Sequence, residues 1–356
     1  MLWLNLCVVF SFGLIARYFA SFRVADGTIL SVRPHKGLIG AAFVSLVLIS
    51  GLRANIGDTF FYKHIYETND FTWEYIFEQN DIGFGVLQKV LQTFVSTDPQ
   101  IMVFTSALIT NMLIIFVLYN NSRMIELSLY VYITGGKFLV SMNGIRQMLA
   151  AAIAFTAIKY VMNGNWVKYS LIILTASLFH QSALVLLPVY FIVRFKAWSM
   201  QTVVMIVCSL LLVVGFEQFS SILYTALDDT QYGHYKNFTE GGANILRVAV
   251  DGIPIFIAYL GRHRLRGIFP KSDYIVNMAL VGFIFMMIAT QNWIFARFSL
   301  YFSLYQLILI SWLIKIFRKQ DQRLIYFGIL ICYLGYFFYE NVITLNIEYR
   351  SDFFIW

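Results

Sequence analysis

Charge is what this chain has little of. Asp, Glu, Lys and Arg make up 13% of its 356 residues, about half the ~25% of ordinary soluble domains. With 59% apolar and 18% aromatic residues, there are too few charges to cover a water-facing surface, which excludes both a soluble enzyme and a disordered tail. Cysteine is scarce as well. Cys7, Cys208 and Cys332 each sit in an apolar run, an odd number without paired spacing, which argues against a disulfide framework. The sequence lacks a CxxC, an HExxH and a glycine-rich loop followed by Lys-Ser/Thr, so no metal or cofactor is expected. The net charge of +7 does not point to nucleic acid, because membrane topology also concentrates Lys and Arg.

Long apolar runs take the place of charge. A helix needs ~20 apolar residues to cross ~30 Å of hydrocarbon. Candidate spans fall at 2–20, 37–52, 100–119, 124–142, 144–162, 200–219, 244–260, 274–291, 293–314 and 323–340. The first lacks a basic leader and a small-residue cleavage site, so it is read as a retained helix. Residues 168–193 are too long for one helix and too short for two. Lys168 opens this stretch, and Arg194 and Lys196 follow it. A re-entrant hairpin with Phe179, His180, Gln181 and Ser182 at its tip returns the chain to its starting side. The expected fold is therefore all-α: a single polytopic membrane domain over 1–356, with about ten transmembrane helices and one re-entrant helical hairpin.

Charge tests the topology. With the amino terminus outside, the inner segments are 17–36, 120–126, 159–168, 194–199, 261–273 and 315–323. They hold 17 Lys and Arg against four acids, leaving nine basic and 15 acidic residues elsewhere. Reading 168–193 as one crossing would scatter the basic segments over both faces. Both termini are accordingly expected outside. Two outer loops are large, 53–99 and 220–243. Within the first, Ile82, Val86, Leu87, Val90, Leu91, Phe94 and Val95 share one helical face, which predicts an amphipathic helix over 82–97 lying in the outer interface.

Four arginines break the orientation pattern: Arg53, Arg146, Arg247 and Arg297 all fall at outer ends of spans. Arginine near hydrocarbon is costly and usually faces a cavity or a partner, and its planar fork matches phosphate oxygens. Convergence at one depth would make an anion site. Simpler readings stand beside this one. Arg247 and Asp251 are four apart and suit mutual pairing. Arg53 could pair with Asp58. Arg297 could snorkel, and Arg146, in the segment Asn143-Gly-Ile-Arg-Gln147, could serve helix capping. His180 is either a hydrogen-bonded core histidine or a cavity-lining one; with no second His or Cys at ligand spacing, it does not indicate a metal. Trp73 and Tyr75 in the first outer loop and Tyr232 in the second could stack on sugar rings.

Three segments carry a likeness: GLRANIGDTFFYKHIYE (51–67), with Arg53, Asp58 and Tyr62; NGIRQMLAAAIAFTAIKY (143–160), with Arg146 and Gln147; and ASLFHQSALVLLPVY (176–190), with His180. ARFSLYF (296–302), with Arg297, is a weaker fourth. On these segments the chain resembles the EpsG family of bacterial membrane proteins, related to Wzy-type polysaccharide polymerases. The resemblance implies polymerisation of exopolysaccharide or capsule repeat units carried on undecaprenyl diphosphate, at the outer face of the cytoplasmic membrane. A chain-length regulator and a flippase are further partners such a role implies. Arg53, Arg146 and Arg297, with Arg247, would then neutralise the diphosphate leaving group without a metal. Asp58, near Arg53, or His180 would take the acceptor proton. Tyr62, Asn143 and Gln147 would bind substrate beside them, and Trp73 and Tyr232 would hold the glycan. A flippase or transporter for a lipid-linked glycan, or a membrane sugar acyltransferase, remain the other readings.

Overall fold

Apolar runs without long polar breaks form helices, because lipid leaves the backbone no partner but itself. The structure, a computed structural model, describes residues 1–22, 32–216, 218 and 241–354. It is 77% helical with almost no strand. Among the described residues, four helical segments are long and apolar enough to cross a membrane: Gln100–Asn121, Ile145–Asn163, Ile294–Ile316 and Gln322–Thr344. Seven further apolar helices are shorter, including Leu2–Tyr18, Lys36–Gly51 and Ser272–Ile288. The chain divides into two compact units. Unit 1 comprises Met1–Pro188 with Leu307–Trp356, and unit 2 comprises Val189–Gln306.

Unit 1 begins with an antiparallel pair, α1 (Leu2–Tyr18) and α2 (Lys36–Gly51). Ser45 Oγ donates to Asn5 Oδ1 at 2.8 Å near one end, and His35 N donates to Ala16 O at 2.9 Å near the other. Met1 thus lies at the same end of the unit as Gly51. The carboxyl-terminal segment reaches that end too. Ala54 N donates to Arg350 O, Asn55 Nδ2 to Glu348 O, and Ser351 Oγ to Leu52 O.

The stretch 53–99, expected as an outer loop, is helical: α3 (Thr59–Thr68), α4 (Trp73–Glu78) and α5 (Ile82–Phe94). These pack on the start of α6 (Gln100–Asn121) and, beyond it, α9 (Ile145–Phe155). Tyr66, Phe71, Ile76, Phe84, Leu91, Met102 and Leu149 form their shared core. The amphipathic helix exists, but its inward edge is Phe84–Gln88–Leu91, while Val90, Phe94 and Val95 are exposed. The expected apolar stripe is therefore shared between a protein core and the surface.

The span expected over 124–142 is broken. α7 (Ile125–Thr134) ends at Gly135, Gly136 turns through φ +78°, and α8 (Lys137–Asn143) restarts. Glycine takes that left-handed geometry without a Cβ clash. α9 continues after a turn into α10 (Ile158–Asn163).

The proposed hairpin does break at its histidine. α11 (Trp166–Phe179) stops at His180, which is extended, and a 3-10 turn (Gln181–Val185) leads into α12 (Leu186–Ile192). Tyr169 OH donates to Leu186 O at 2.7 Å, so the chain folds back along α11.

Unit 2 contains α13 (Met200–Val214), α14 (Ile245–Leu260), α15 (Arg262–Ile268) and α16 (Ser272–Ile288). α17 (Ile294–Leu313) begins in unit 2 and ends in unit 1. α18 (Gln322–Phe338) belongs to unit 1. On α18, Leu324, Phe327, Ile331, Leu334 and Phe338 are all exposed. Their spacing of three and four residues draws one apolar stripe along the helix, a surface that suits lipid rather than water.

Candidate functional site

The site begins where α2 ends. Arg53, two residues past the helix, is 1% exposed. Its Nε donates to Thr59 Oγ1 at 2.9 Å and its Nη2 to Met142 O at 2.7 Å, while Nη1 bonds Ser50 O. Each nitrogen thus goes to a neutral acceptor inside the protein, and pairing with Asp58 is replaced by this set. Burial pulls the guanidinium pKa down to about 9, opposed by the nearby Tyr349 and Tyr62; the group stays cationic at neutral pH. Arg53 therefore fastens the α2–α3 turn to the end of α8. Gln100 Nε2 holds the same turn by donating to Gly51 O at 2.6 Å.

That turn is strained. Ile56 has φ +84° and Gly57 φ +55°; the first is unusual for a β-branched residue. Thr59 Oγ1 donates to Ile56 O at 2.6 Å. Asn143 packs so closely that a Cβ on Gly57 would lie 2.0 Å from its Oδ1. The same Oδ1 accepts from Asp58 N at 3.0 Å. Asn143 is thus a support for the turn, and the Asp58 residue is exposed.

One turn beyond Asn143, Arg146 opens α9. Its Nη1 lies 2.8 Å from Asp81 Oδ2, and its Nε donates to Tyr62 OH at 3.3 Å. The guanidinium also stands 5.7 Å from the Tyr62 ring centre. The Arg146 side chain is 43% exposed, that of Asp81 only 8%. The buried carboxylate and the phenol thus aim a cation that still meets the surface.

Asp81 organises more than the arginine. Its Oδ1 accepts from Gln181 N at 3.2 Å and lies 3.4 Å from His180 Nδ1. The latter is a close approach rather than an aligned hydrogen bond, because His180 Nδ1 is buried without one. Asp81 precedes α5, and its carbonyl accepts from Phe84 N and Gly85 N. Gly83 lets α5 meet α11 closely: a Cβ there would stand 2.9 Å from Leu178 O. A glycine contact thus brings the start of α5 to the hairpin tip.

Within unit 1, the structure brings Arg146, His180 and Tyr62 together on Asp81, with Arg53 and Asn143 holding the adjoining turn. Sequence reasoning missed Asp81. The available signal was its place at the head of the amphipathic run, in Asp-Ile-Gly-Phe-Gly, where two glycines permit close approach. Gln147 is buried on α9. Trp73 is 53% exposed, stacked on Phe77 with ring centres 6.1 Å apart, and Lys89 Nζ lies 5.3 Å from its ring. In unit 2, Arg297 stands 4.5 Å from the Trp293 ring on α17, and Arg247 lies in the first turn of α14. Tyr232 lies outside the described residues. No group of three or more His, Cys, Asp and Glu placed to hold a metal occurs among the described residues.

Apolar helices in this number, with a lipid-suited stripe and a polar site at helix ends, define a multi-pass helical membrane protein. The EpsG family model matches residues 37–351, and the chain belongs to that family, which is related to polysaccharide biosynthesis. No curated protein and no solved structure matches the chain.

Proposed function

We propose that this protein is a membrane glycosyltransferase that polymerises undecaprenyl-diphosphate-linked repeat units of an exopolysaccharide or capsule, at the outer face of the bacterial cytoplasmic membrane. The observation that supports it most is the placement of a phosphate-compatible cation and a proton acceptor on one buried carboxylate, Asp81.

In this reading the chain crosses ten times, with the α11–α12 hairpin entering from the inner side. The site end of unit 1, which also carries both chain ends, faces outward. The acceptor hydroxyl of one lipid-linked unit attacks the anomeric carbon of another. A carbon–oxygen bond forms there as the bond to the diphosphate breaks, and the diphosphate departs with the electron pair. Arg146 stabilises that charge, a preorganised electrostatic contribution worth several kcal/mol. His180 takes the acceptor proton, oriented by Asp81 against Nδ1 so that Nε2 meets the hydroxyl. This geometry favours His180 over the exposed Asp58 as base. Arg53 acts as a positioning residue through the 142–146 segment. Trp73 holds the glycan.

The test is Arg146→Lys, which keeps charge but loses the planar fork. Cells carrying it are expected to accumulate single repeat units outside and make little polymer, at unchanged protein level. Normal polymer would overturn the clamp. Units trapped inside would favour a flippase, and full-length polymer lacking acyl groups an acyltransferase.

A further inference from the structure

A second basic site lies at the opposite end of unit 1. α6 has 22 residues, so its ends stand ~33 Å apart, about one hydrocarbon thickness. Its first residue, Gln100, holds the Arg53 turn. Its last, Asn121, accepts through its carbonyl from Trp312 Nε1 at 2.9 Å. Just beyond Asn121 a surface cavity of about 640 Å³ opens between the ends of α1, α17 and α18. Arg17, Lys315 and Arg323 line it, together with Leu14, Tyr18 and Phe327.

The charges here do not cancel. Arg17 Nη1 pairs with Glu126 Oε1, and Glu126 is wholly buried. Lys315 and Arg123 are within electrostatic reach of that pair. Lys315 Nζ bonds the neutral Gln322 Oε1 at 3.1 Å, and Arg323 is exposed. Glu126 thus answers three cations, Arg17, Arg123 and Lys315, while Arg323 and Asp321 add one charge of each sign at the head of α18, leaving an excess of positive charge. Burial and the neighbouring Arg17 draw Arg123 below its ordinary value, the direction expected where positive charge is crowded. The second oxygen of Glu126 is buried without a hydrogen-bond partner. The rim is apolar and open: Leu14 is 44%, Tyr18 84% and Phe327 50% exposed.

We propose that this cavity binds the phosphate headgroup of an anionic phospholipid in the leaflet opposite the Arg146 site. Excess positive charge at a helix-end pocket attracts a lipid phosphate, arginine supplies the matching donors, and the apolar rim receives the upper acyl chains. A free phosphate would use the cations but leave the rim unused. The inference goes beyond polymerisation and needs only that unit 1 spans the membrane.

The test uses the full-length protein purified in neutral detergent. Thermal unfolding and native mass spectrometry are followed with phosphatidylglycerol, phosphatidylcholine or inorganic phosphate. Phosphatidylglycerol alone is expected to raise the unfolding midpoint and to remain bound as one copy. Lys315→Gln with Arg323→Gln should weaken that binding by at least about tenfold, the loss of charge-assisted contacts, while Arg146→Lys leaves it unchanged. Should the double variant be unstable without lipid, the exposed Arg323→Gln alone is measured for the same weakening. Equal effects of the two lipids, an equal effect of inorganic phosphate, or unchanged binding by the variants would overturn the proposal. Because the Arg146→Lys protein is read separately, failure here is distinguishable from failure of the catalytic reading.

Discussion

Arg146 Nη1 lies 2.8 Å from Asp81 Oδ2, joining the head of a membrane helix to the head of an amphipathic one 65 residues earlier in the chain. One partner is nearly buried and the other reaches the surface. An ion pair so open contributes only ~0–1 kcal/mol to stability. Its consequence is directional: the guanidinium is held toward the surface, and the second carboxylate oxygen remains for the hairpin tip.

Replacing Asp81 with Asn separates these roles. The amide keeps one acceptor oxygen, for either Arg146 or Gln181 N, sets an NH2 against the other donor, and removes the charge. Thermal stability in detergent should fall by ~1–3 kcal/mol, the cost of one buried donor left unpaired, while polymer synthesis falls by ~10²-fold through loss of orientation. An Asp81→Asn protein with full polymer yield would show that Asp81 does not organise the site.

His180→Asn is expected to fold, because the Nδ1 it removes is buried without a hydrogen bond, so no bonded partner is stranded, and the amide refills part of the space. Turnover of lipid-linked repeat units should drop ~10²–10⁴-fold, the usual contribution of a positioned base. Asp58→Asn should be much milder. The opposite order, measured in reconstituted vesicles, would return the base to Asp58.

Arg53→Met should act on folding first. It strips donors from two buried carbonyls, Ser50 O and Met142 O, at ~1–3 kcal/mol each. A lowered unfolding midpoint and reduced membrane yield are expected, with Arg53→Lys intermediate in both. If Arg53→Lys instead kept full stability and lost turnover, the residue would be touching substrate.

Gly57→Ala tests the strained turn. The residue sits at φ +55°, and its new Cβ would meet Asn143 Oδ1. A strained backbone well and overpacking each cost ~1–3 kcal/mol. Pairing the change with Asn143→Gly removes the clash, including the residue 143 Cβ at 2.7 Å, but not the backbone cost, so the double variant should recover only part of the stability. Full recovery would mean that φ at Gly57 carries no strain.

Much of the helical layout was legible because lipid allows the backbone few choices. The starts of α1, α2, α6, α13 and α14 fall within a residue of the expected spans, each announced by a run of apolar residues. The break at His180 was legible for a similar reason: Lys168 and Arg194 demanded a return to one side. The break at Gly135-Gly136 was passed over, since two glycines in an apolar run do not reveal which of them will take positive φ. The helices within 53–99 were passed over except for α5, because α3 and α4 are short and owe their stability to packing Tyr66 and Ile76 against Phe71, Met102 and Leu149 rather than to a pattern of their own.

Composition alone made this a chain for lipid: with so few charges, no arrangement of the backbone could have given it a wet surface. The kind of residue needed at the site, arginines at helix ends and a histidine at a break, could also be read in one dimension, because each is costly there and conspicuous. Which of them meet was settled only in three dimensions. Asp81 is one acid among several in a polar stretch until Gly83 lets α5 approach Leu178, and Arg53 looks like Arg146 in sequence until its neighbours close over it. Burial and pairing depend on contacts between segments far apart in the chain, and no local pattern encodes them.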